Sequence, residues 1–247
     1  MAGEGARPTT VAEHYANHLA SVYEWMAGGS ETAFAQGAAD VAAHLGRTRH
    51  AVDLGAGFGM HAIPLARAGA RVLALDESEL LLASLARNGA GLPVQALHAD
   101  LTGFARHLSE RPDLILCMGD TLTHLASPEQ VRQLLHDAAQ ALAPGGTFLA
   151  TFRDYRRLPE REARFIPVRS DDHRILSCFL EELPAHVRVH DVLHERAGDG
   201  WHMRVSSYLK LRLDPDHVST WIADAGLRGA IGPGPRGMLR LHASAPG

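Results

Sequence analysis

The segment Asp53-Leu54-Gly55-Ala56-Gly57-Phe58-Gly59 carries the clearest chemistry in the sequence. It follows a short apolar strand, Ala51 to Leu54, and precedes a helical stretch beginning at Met60. That is the setting a ligand-binding glycine loop needs. Glycines let the backbone turn tightly and approach a ligand with no Cβ in the way. The helix that follows offers free N–H groups and a partial positive end. A dinucleotide loop would read G-x-G-x-x-G, but here the third glycine comes one place early and Met60 fills its slot. A carboxylate such as Asp53 repels a diphosphate and attracts an ammonium. The loop therefore suits a ligand with a cationic amino-acid tail better than one with a pyrophosphate.

Two later acids fit the same ligand. Asp76 ends the second strand, 17 residues past Gly59, where a carboxylate can accept both hydroxyls of a ribose. Asp100 follows the third strand in His98-Ala99-Asp100 and could accept from an exocyclic adenine amine. Loop and acids together describe an adenosine with a zwitterionic tail. The alternative for Asp76 and Asp100 is a helix-capping role.

On these residues the chain resembles the class I S-adenosylmethionine-dependent methyltransferases, over about residues 50–155. The resemblance implies S-adenosylmethionine as cofactor and S-adenosylhomocysteine as product. It implies donor contacts from Asp53, Gly55, Ala56, Gly57, Gly59, Asp76, Glu77, Asp100, Leu101, Met118 and Gly119. It also implies an N-terminal helical lid bringing Tyr15 and Tyr23 over the donor and Trp25 toward the acceptor; the other reading of these rings is packing.

A narrower similarity, to the glycine/sarcosine N-methyltransferase branch, rests on Cys117-Met118-Gly119-Asp120-Thr121-Leu122-Thr123-His124-Leu125, Ala143-Pro144-Gly145-Gly146 and Phe152-Arg153-Asp154-Tyr155. By matching position it makes Arg153 a clamp on a substrate carboxylate, with Tyr155 beside it. It turns Asp120 and His124 toward the reacting atoms. Asp120 stands where the branch has asparagine, which leaves the substrate open. Methyl transfer from a sulfonium is an in-line displacement in which the protein mainly positions the partners and excludes water. An amine nucleophile must be neutral, so Asp120, His124 or a tyrosine would take its proton, directly or through water. Arg153 also sits in a run with Arg156, Arg157, Arg161 and Arg164, a pattern that solvated faces share.

The elements that position these residues form an α/β pattern. Strands are expected at 51–54, 71–75, 94–97, 113–118 and 147–152, with helices at 60–68, 78–87 and from Ser127-Pro128 to Pro144. Short apolar strands alternating with helices specify a Rossmann-like, mostly parallel sheet with helices on both faces, seven-stranded once two short strands near 227–231 and 238–243 are added. A capping box at Thr10-x-x-Glu13 opens a helix over 11–27, and Ser30 caps a second one running to about Gly46. After Arg153 the alternation stops. Residues 165–168, 175–181, 187–195 and 202–213 read as strands, with a hairpin turn at Ala197-Gly198-Asp199-Gly200. The expected organisation is thus an N-terminal helical lid (1–46), a donor-binding core (47–155 and 213–247) and an antiparallel β insertion (156–212), a cap or a dimer surface. A homodimer stands among the partners this allows. Residues 1–8 read as a loose tail.

The 247 residues are 46% hydrophobic and 21% charged, ordinary globular composition that excludes a fibrous or disordered chain. Lys+Arg total 24 against Asp+Glu 28. That net acidity argues against nucleic acid, which needs a basic face. All the cationic residues but Lys210 are arginine, which a GC-rich genome explains. Cys117 and Cys178 form no paired motif, as in a reducing cytosol. His190-x-x-x-His194-Glu195 has the wrong order for H-E-x-x-H and reads as strand, so no metal is expected. The N-terminus has no signal-peptide core and no apolar run is long enough to span a bilayer. A cytoplasmic protein with no membrane partner is expected.

The leading functional reading is methylation of a small molecule at an amine or heterocyclic nitrogen. O- or C-methylation of a small metabolite and non-catalytic sensing of S-adenosylmethionine remain as alternatives. A nucleic-acid or protein methyltransferase is disfavoured by charge and by Gly119-Asp120-Thr121 in place of [N/D]-P-P-[Y/F]. A nicotinamide oxidoreductase is disfavoured by the loop.

Overall fold

Each short apolar run becomes one strand of a central sheet. The computed structural model describes residues 9–247; the tail assigned to 1–8 lies outside them. Strands β1 (His50–Leu54), β2 (Arg71–Asp76), β3 (Val94–His98), β4 (Leu114–Cys117) and β5 (Thr147–Phe152) run parallel. β11 (Leu239–Ser244) pairs antiparallel with β5 and β10 (Arg228–Pro233) antiparallel with β11, giving the order β10-β11-β5-β4-β1-β2-β3.

Helices cover both faces because successive strand residues point to opposite sides. Val52, Leu54, Ile115, Cys117 and Phe148 pack under α6 (Pro128–Ala141) and α7 (Pro215–Asp224). Ala51, Val72, Ala74, Leu114 and Leu116 pack under α4 (Ala62–Arg67) and α5 (Glu79–Asn88). Strand order reverses between β1 and β4, so a crevice opens beyond their carboxyl ends, where open parallel sheets bind ligands.

The antiparallel insertion is a separate four-stranded sheet: β6 (Phe165–Ser170), β7 (Arg174–Glu182), β8 (His186–Ala197) and β9 (Gly200–Leu211). Gly198 takes a positive φ of 59° in the two-residue turn between β8 and β9, as the expected hairpin requires. The inner face buries Leu176, Leu180, Val187, Val189, Leu193 and Tyr208. The outer face leaves Phe165, Ile175, Trp201, Met203 and Val205 exposed.

Three local expectations need correction. The first helix is not one regular rod: α1 (Val11–His14) gives way to a π-helical turn at Tyr15–Leu19, a 3-10 turn at Ala20–Val22, and α2 (Tyr23–Met26). π-turns inside helices often mark functional sites. Ser30 does not cap the second helix. It lies inside α3 (Ser30–Asp40), after Gly29 at φ 90°, and its hydroxyl donates to Glu24. The helix after the glycine loop starts at Ala62 rather than Met60, because the loop uses two further residues to complete its turn.

Candidate active site

The crevice at the strand ends is lined by Gly55, Ala56, Gly57, Asp76, Glu77, Asp100, Leu101, Met118, Gly119, Thr121 and His124 from the core, and by Tyr15 and Tyr23 from the N-terminal segment. Most of the residues expected to meet a donor thus meet in one cavity. Gly55 has φ 73°, and a Cβ there would lie 2.7 Å from Thr121 Cγ2, so no other residue fits. The loop is pinned to the next strand: Gly55 and Ala56 donate their N–H groups to the Leu75 carbonyl.

Asp76 holds the other side. Its Oδ2 accepts from the Gly57 N–H at 2.8 Å and its Oδ1 from the Ser78 N–H at 2.8 Å. Each oxygen keeps a lone pair for a ligand. Burial raises its pKa despite those two donors, so a ligand that brings hydroxyl donors relieves a real cost. Asp100 accepts from the Thr102 N–H through Oδ1 at 2.8 Å and caps a 3-10 turn at Leu101–His107 that sequence patterning did not indicate. The capping reading holds for Asp100 but not for Asp76, because Ser78 caps α5 and Asp76 only accepts from the N–H of that cap residue.

Asp53 lies beneath the loop, 1% exposed and off the crevice wall. Burial raises its pKa to about 6, and Oδ2 has no hydrogen-bond partner. It does not touch the crevice directly. Gly59 is likewise absent from the wall; its φ of 97° and tight approach to Ile63 make it a turn residue.

Tyr15 and Tyr23 would sit ~80° apart around an unbroken α-helix. The π and 3-10 turns bring their rings to 5.7 Å. Burial raises the pKa of both hydroxyls. Tyr15 also meets the edge of His124 at 5.9 Å, and Tyr208 approaches His124 from another side at 5.7 Å. His124 Nε2 is buried with no partner. Burial, reinforced by the nearby Lys210 charge, lowers the His124 pKa to about 3. The ring is a neutral hydrogen-bonding group, not a standing cation.

Asp120 departs from expectation. It adopts a left-handed backbone, φ 76°, directly after Gly119 at φ 75°. Asp and Asn are the non-glycine residues that tolerate this region best. The turn aims the carboxylate away from the crevice. Oδ1 accepts from the Arg153 backbone N–H at 2.7 Å. Oδ2 accepts from Tyr155 OH at 3.0 Å and from Lys210 Nζ at 2.6 Å. Burial alone would raise the Asp120 pKa, but the Lys210 ammonium outweighs it and holds the carboxyl below its usual range. Asp120 is therefore a structural anion held by three donors, a poor proton acceptor, and does not line the crevice.

The three residues expected to bind the substrate are also placed elsewhere. The Arg153 side chain is exposed and donates weakly, at 3.5 Å, to the Arg236 carbonyl. Tyr155 is 5% exposed and committed to Asp120. Trp25 donates its indole N–H to Asp171 and lies against Arg169 and Arg174. None of the three lines the crevice.

Lys210 and His14 were missed. Lys210 had one signal, its being the sole lysine among arginines, and a strand position alone cannot show what lies opposite it. Among the described residues, no cluster of His, Cys, Asp or Glu could hold a metal ion, and no helix is long and apolar enough to cross a membrane.

Residues 51–146 match a family described as a methyltransferase domain. A glycine/sarcosine N-methyltransferase of Aphanothece halophytica is 30% identical over 109 residues, which are 43% of this chain and 41% of that protein. The matched stretch thus spans about two fifths of that relative's length. Among solved structures, the CcbJ methyltransferase of Streptomyces caelestis superposes with a TM-score of 0.75 at 22% identity, covering 94% of this chain and 98% of its own. The sugar N-methyltransferase KedS8 of a Streptoalloteichus species gives 0.73 at 17% identity, covering 98% of each chain. Together these findings identify a class I S-adenosylmethionine-dependent methyltransferase fold.

Proposed function

We propose that this chain, with its class I S-adenosylmethionine-dependent methyltransferase fold, methylates an amine nitrogen of a small, uncharged-to-cationic acceptor such as an amino sugar. The observation that carries the reading is the crevice. The glycine loop, Asp76 and Asp100 line it in the order a tail, a ribose and an adenine would need, and His124, whose Nε2 is buried without a partner, lines it as well.

The residues present fit S-adenosylmethionine. Asp76 offers one free lone pair on each oxygen to a diol, and Asp100 lies where an adenine amine would reach. Asp53, whose Oδ2 has no partner beneath the loop, favours an ammonium above it. Bound S-adenosylmethionine supplies a sulfonium-activated methyl group. Asp76, Glu77 and Asp100 make the wall acidic, and among the described residues no Arg or Lys lines it. That balance suits a donor of net positive charge.

The same wall argues against a carboxylate-bearing acceptor of the glycine kind, since Arg153 does not line it and, among the described residues, no other Arg or Lys takes its place. The name of the sugar N-methyltransferase neighbour supports the amino-sugar class. His124 accepts a hydrogen bond from the acceptor's N–H and so orients the nitrogen lone pair. Its low pKa means it does not retain the proton, which passes on to water. Tyr15 and Tyr23 close the crevice and exclude water. A homodimer through the exposed outer face of the antiparallel sheet belongs to the same reading, and sedimentation velocity tests it.

The test of the reaction is a transfer screen over amino sugars, amines, amino acids and phenols, read as a mass gain of one methyl. Methylation of amino sugars with amino acids inert is the expected result. Transfer to glycine, or to phenols alone, overturns the acceptor assignment.

A further inference from the structure

His14 is fully buried, and both its ring nitrogens are engaged with the antiparallel sheet. Nε2 lies 2.9 Å from Asp191 Oδ2 on β8, and Nδ1 lies 2.8 Å from Ser206 Oγ on β9. An ionised carboxylate only accepts, so Nε2 carries the proton toward Asp191; Nδ1 is then free to accept from the Ser206 hydroxyl. The ring also lies against Tyr208, with centroids 4.2 Å apart and the planes tilted by 32°. Tyr208 is the residue that abuts His124.

The neighbours of His14 reach the same two strands. Thr9 Oγ1 donates to the Ser207 carbonyl at 2.8 Å, and Arg204 donates to the Asn17 carbonyl at 3.2 Å. Leu19 and Val22 pack with Leu176 and Leu193 of the same sheet. The segment that places Val11, Ala12 and Tyr15 on the crevice wall is thus built onto the insertion. Ser206, His14 and Asp191 have the residue types of a hydrolytic triad, but Ser206 does not line the crevice, so the set reads as a clamp.

We propose that His14 is a positioning residue: held between Asp191 and Ser206, it fixes Tyr15 over the donor crevice and makes the antiparallel sheet a working part of the methyl-transfer site. This rests on the methyltransferase reading above. The insertion then serves to carry the segment that covers the donor. The clamp exploits both faces of one imidazole. Glutamine can reproduce it, with its amide N–H₂ toward Asp191 and its oxygen toward Ser206, whereas alanine leaves a buried carboxylate and a half-buried hydroxyl without this partner.

The experiment compares wild type, His14→Ala, His14→Gln and the milder Ser206→Ala. It reads amide hydrogen exchange over residues 11–22, with and without S-adenosylhomocysteine, and the dissociation rate of S-adenosylhomocysteine. The clamp predicts at least a tenfold loss of protection in His14→Ala and about a tenfold faster dissociation. His14→Gln should fall within threefold of wild type, with Ser206→Ala between. Turnover should fall in kcat rather than in the acceptor KM, because Tyr15 is misplaced rather than lost. Unchanged protection in His14→Ala, or glutamine no better than alanine, overturns the proposal. If wild type fails to bind S-adenosylhomocysteine, the functional reading fails, while exchange in the unliganded proteins still decides the clamp. Should His14→Ala not fold, Ser206→Ala and His14→Gln carry the comparison.

Discussion

Replacing Lys210 by methionine removes one partner of a buried ion pair whose side chains are 10% and 4% exposed. Asp120 would keep the Arg153 N–H and Tyr155 OH as donors but lose the cation that offsets its burial. Breaking such a pair from one side costs about 3–5 kcal/mol. For a chain of this size each kcal/mol is worth roughly 2–4 °C in Tm, so Lys210→Met should melt about 10 °C lower at pH 7.5.

The pH dependence has a distinctive sign. In wild type the Asp120 pKa is depressed, so its stabilisation is present above the ordinary carboxylate pKa and is lost as pH falls through the still lower folded value. The Lys210 pKa is raised: burial opposes this, but Asp120 overrides it. Its contribution is present below the ordinary lysine pKa and is lost as pH rises through the folded value. Neither window reaches the range between pH 5 and 9, so the pair keeps its full stabilisation there. In Lys210→Met, burial raises the Asp120 pKa, which stabilises the fold at low pH and penalises it as pH rises. The deficit relative to wild type should shrink on going from pH 7.5 to 5.5. The double variant Lys210→Met/Asp120→Asn should recover most of the loss and show no such trend. Calorimetry between pH 5.5 and 8 measures all three. A deficit below about 1 kcal/mol, or one independent of pH, would refute the claim that Asp120 is a structural anion.

Asp76→Ala should weaken S-adenosylhomocysteine by about 1.5–3 kcal/mol, the worth of hydrogen bonds to a charged group, by titration calorimetry; unchanged affinity removes the diol assignment. With the Asp53 pKa raised to about 6 by burial, binding of cationic S-adenosylmethionine near pH 6 should release protons. Calorimetry in buffers of different ionisation enthalpy detects this, and Asp53→Asn should abolish most of the release. The kcat/KM profile should show only the acceptor amine's ionisation between pH 6 and 9, with no limb from His124. His124→Ala should lower kcat about 10²-fold and leave the profile's shape intact. Arg153→Ala should change KM for any acceptor by less than about threefold, since its side chain points away from the crevice; a larger, carboxylate-specific rise restores the clamp.

The parallel core was legible because its signals are local. Strand periods, the Ser127-Pro128 helix start and the glycine loop each lie within a few residues, and Asp76 and Asp100 followed from strand ends. The antiparallel strands were legible for the same reason, each within a few residues of its final bounds. Long-range pairing was not. Asp120 read as a free acid because sequence spacing does not show Lys210, 90 positions away. Arg153 and Trp25 carried chemistry-bearing side chains on the right segments, yet the Arg153 side chain is exposed off the crevice wall and the Trp25 indole is held by Asp171 from a distant loop. The irregular first helix was hidden because its apolar spacing is compatible with an ordinary one, while tertiary contacts of Tyr15 and Tyr23 override the local preference.

The most direct test is a crystal structure with S-adenosylhomocysteine bound. Both ribose hydroxyls should lie on the Asp76 carboxylate at about 2.6–3.0 Å, with the adenine amine toward Asp100 and the sulfur nearest Tyr15 and His124. A ligand bound elsewhere, or a crevice that stays closed at saturating ligand, would contradict the assignment of this crevice as the donor site.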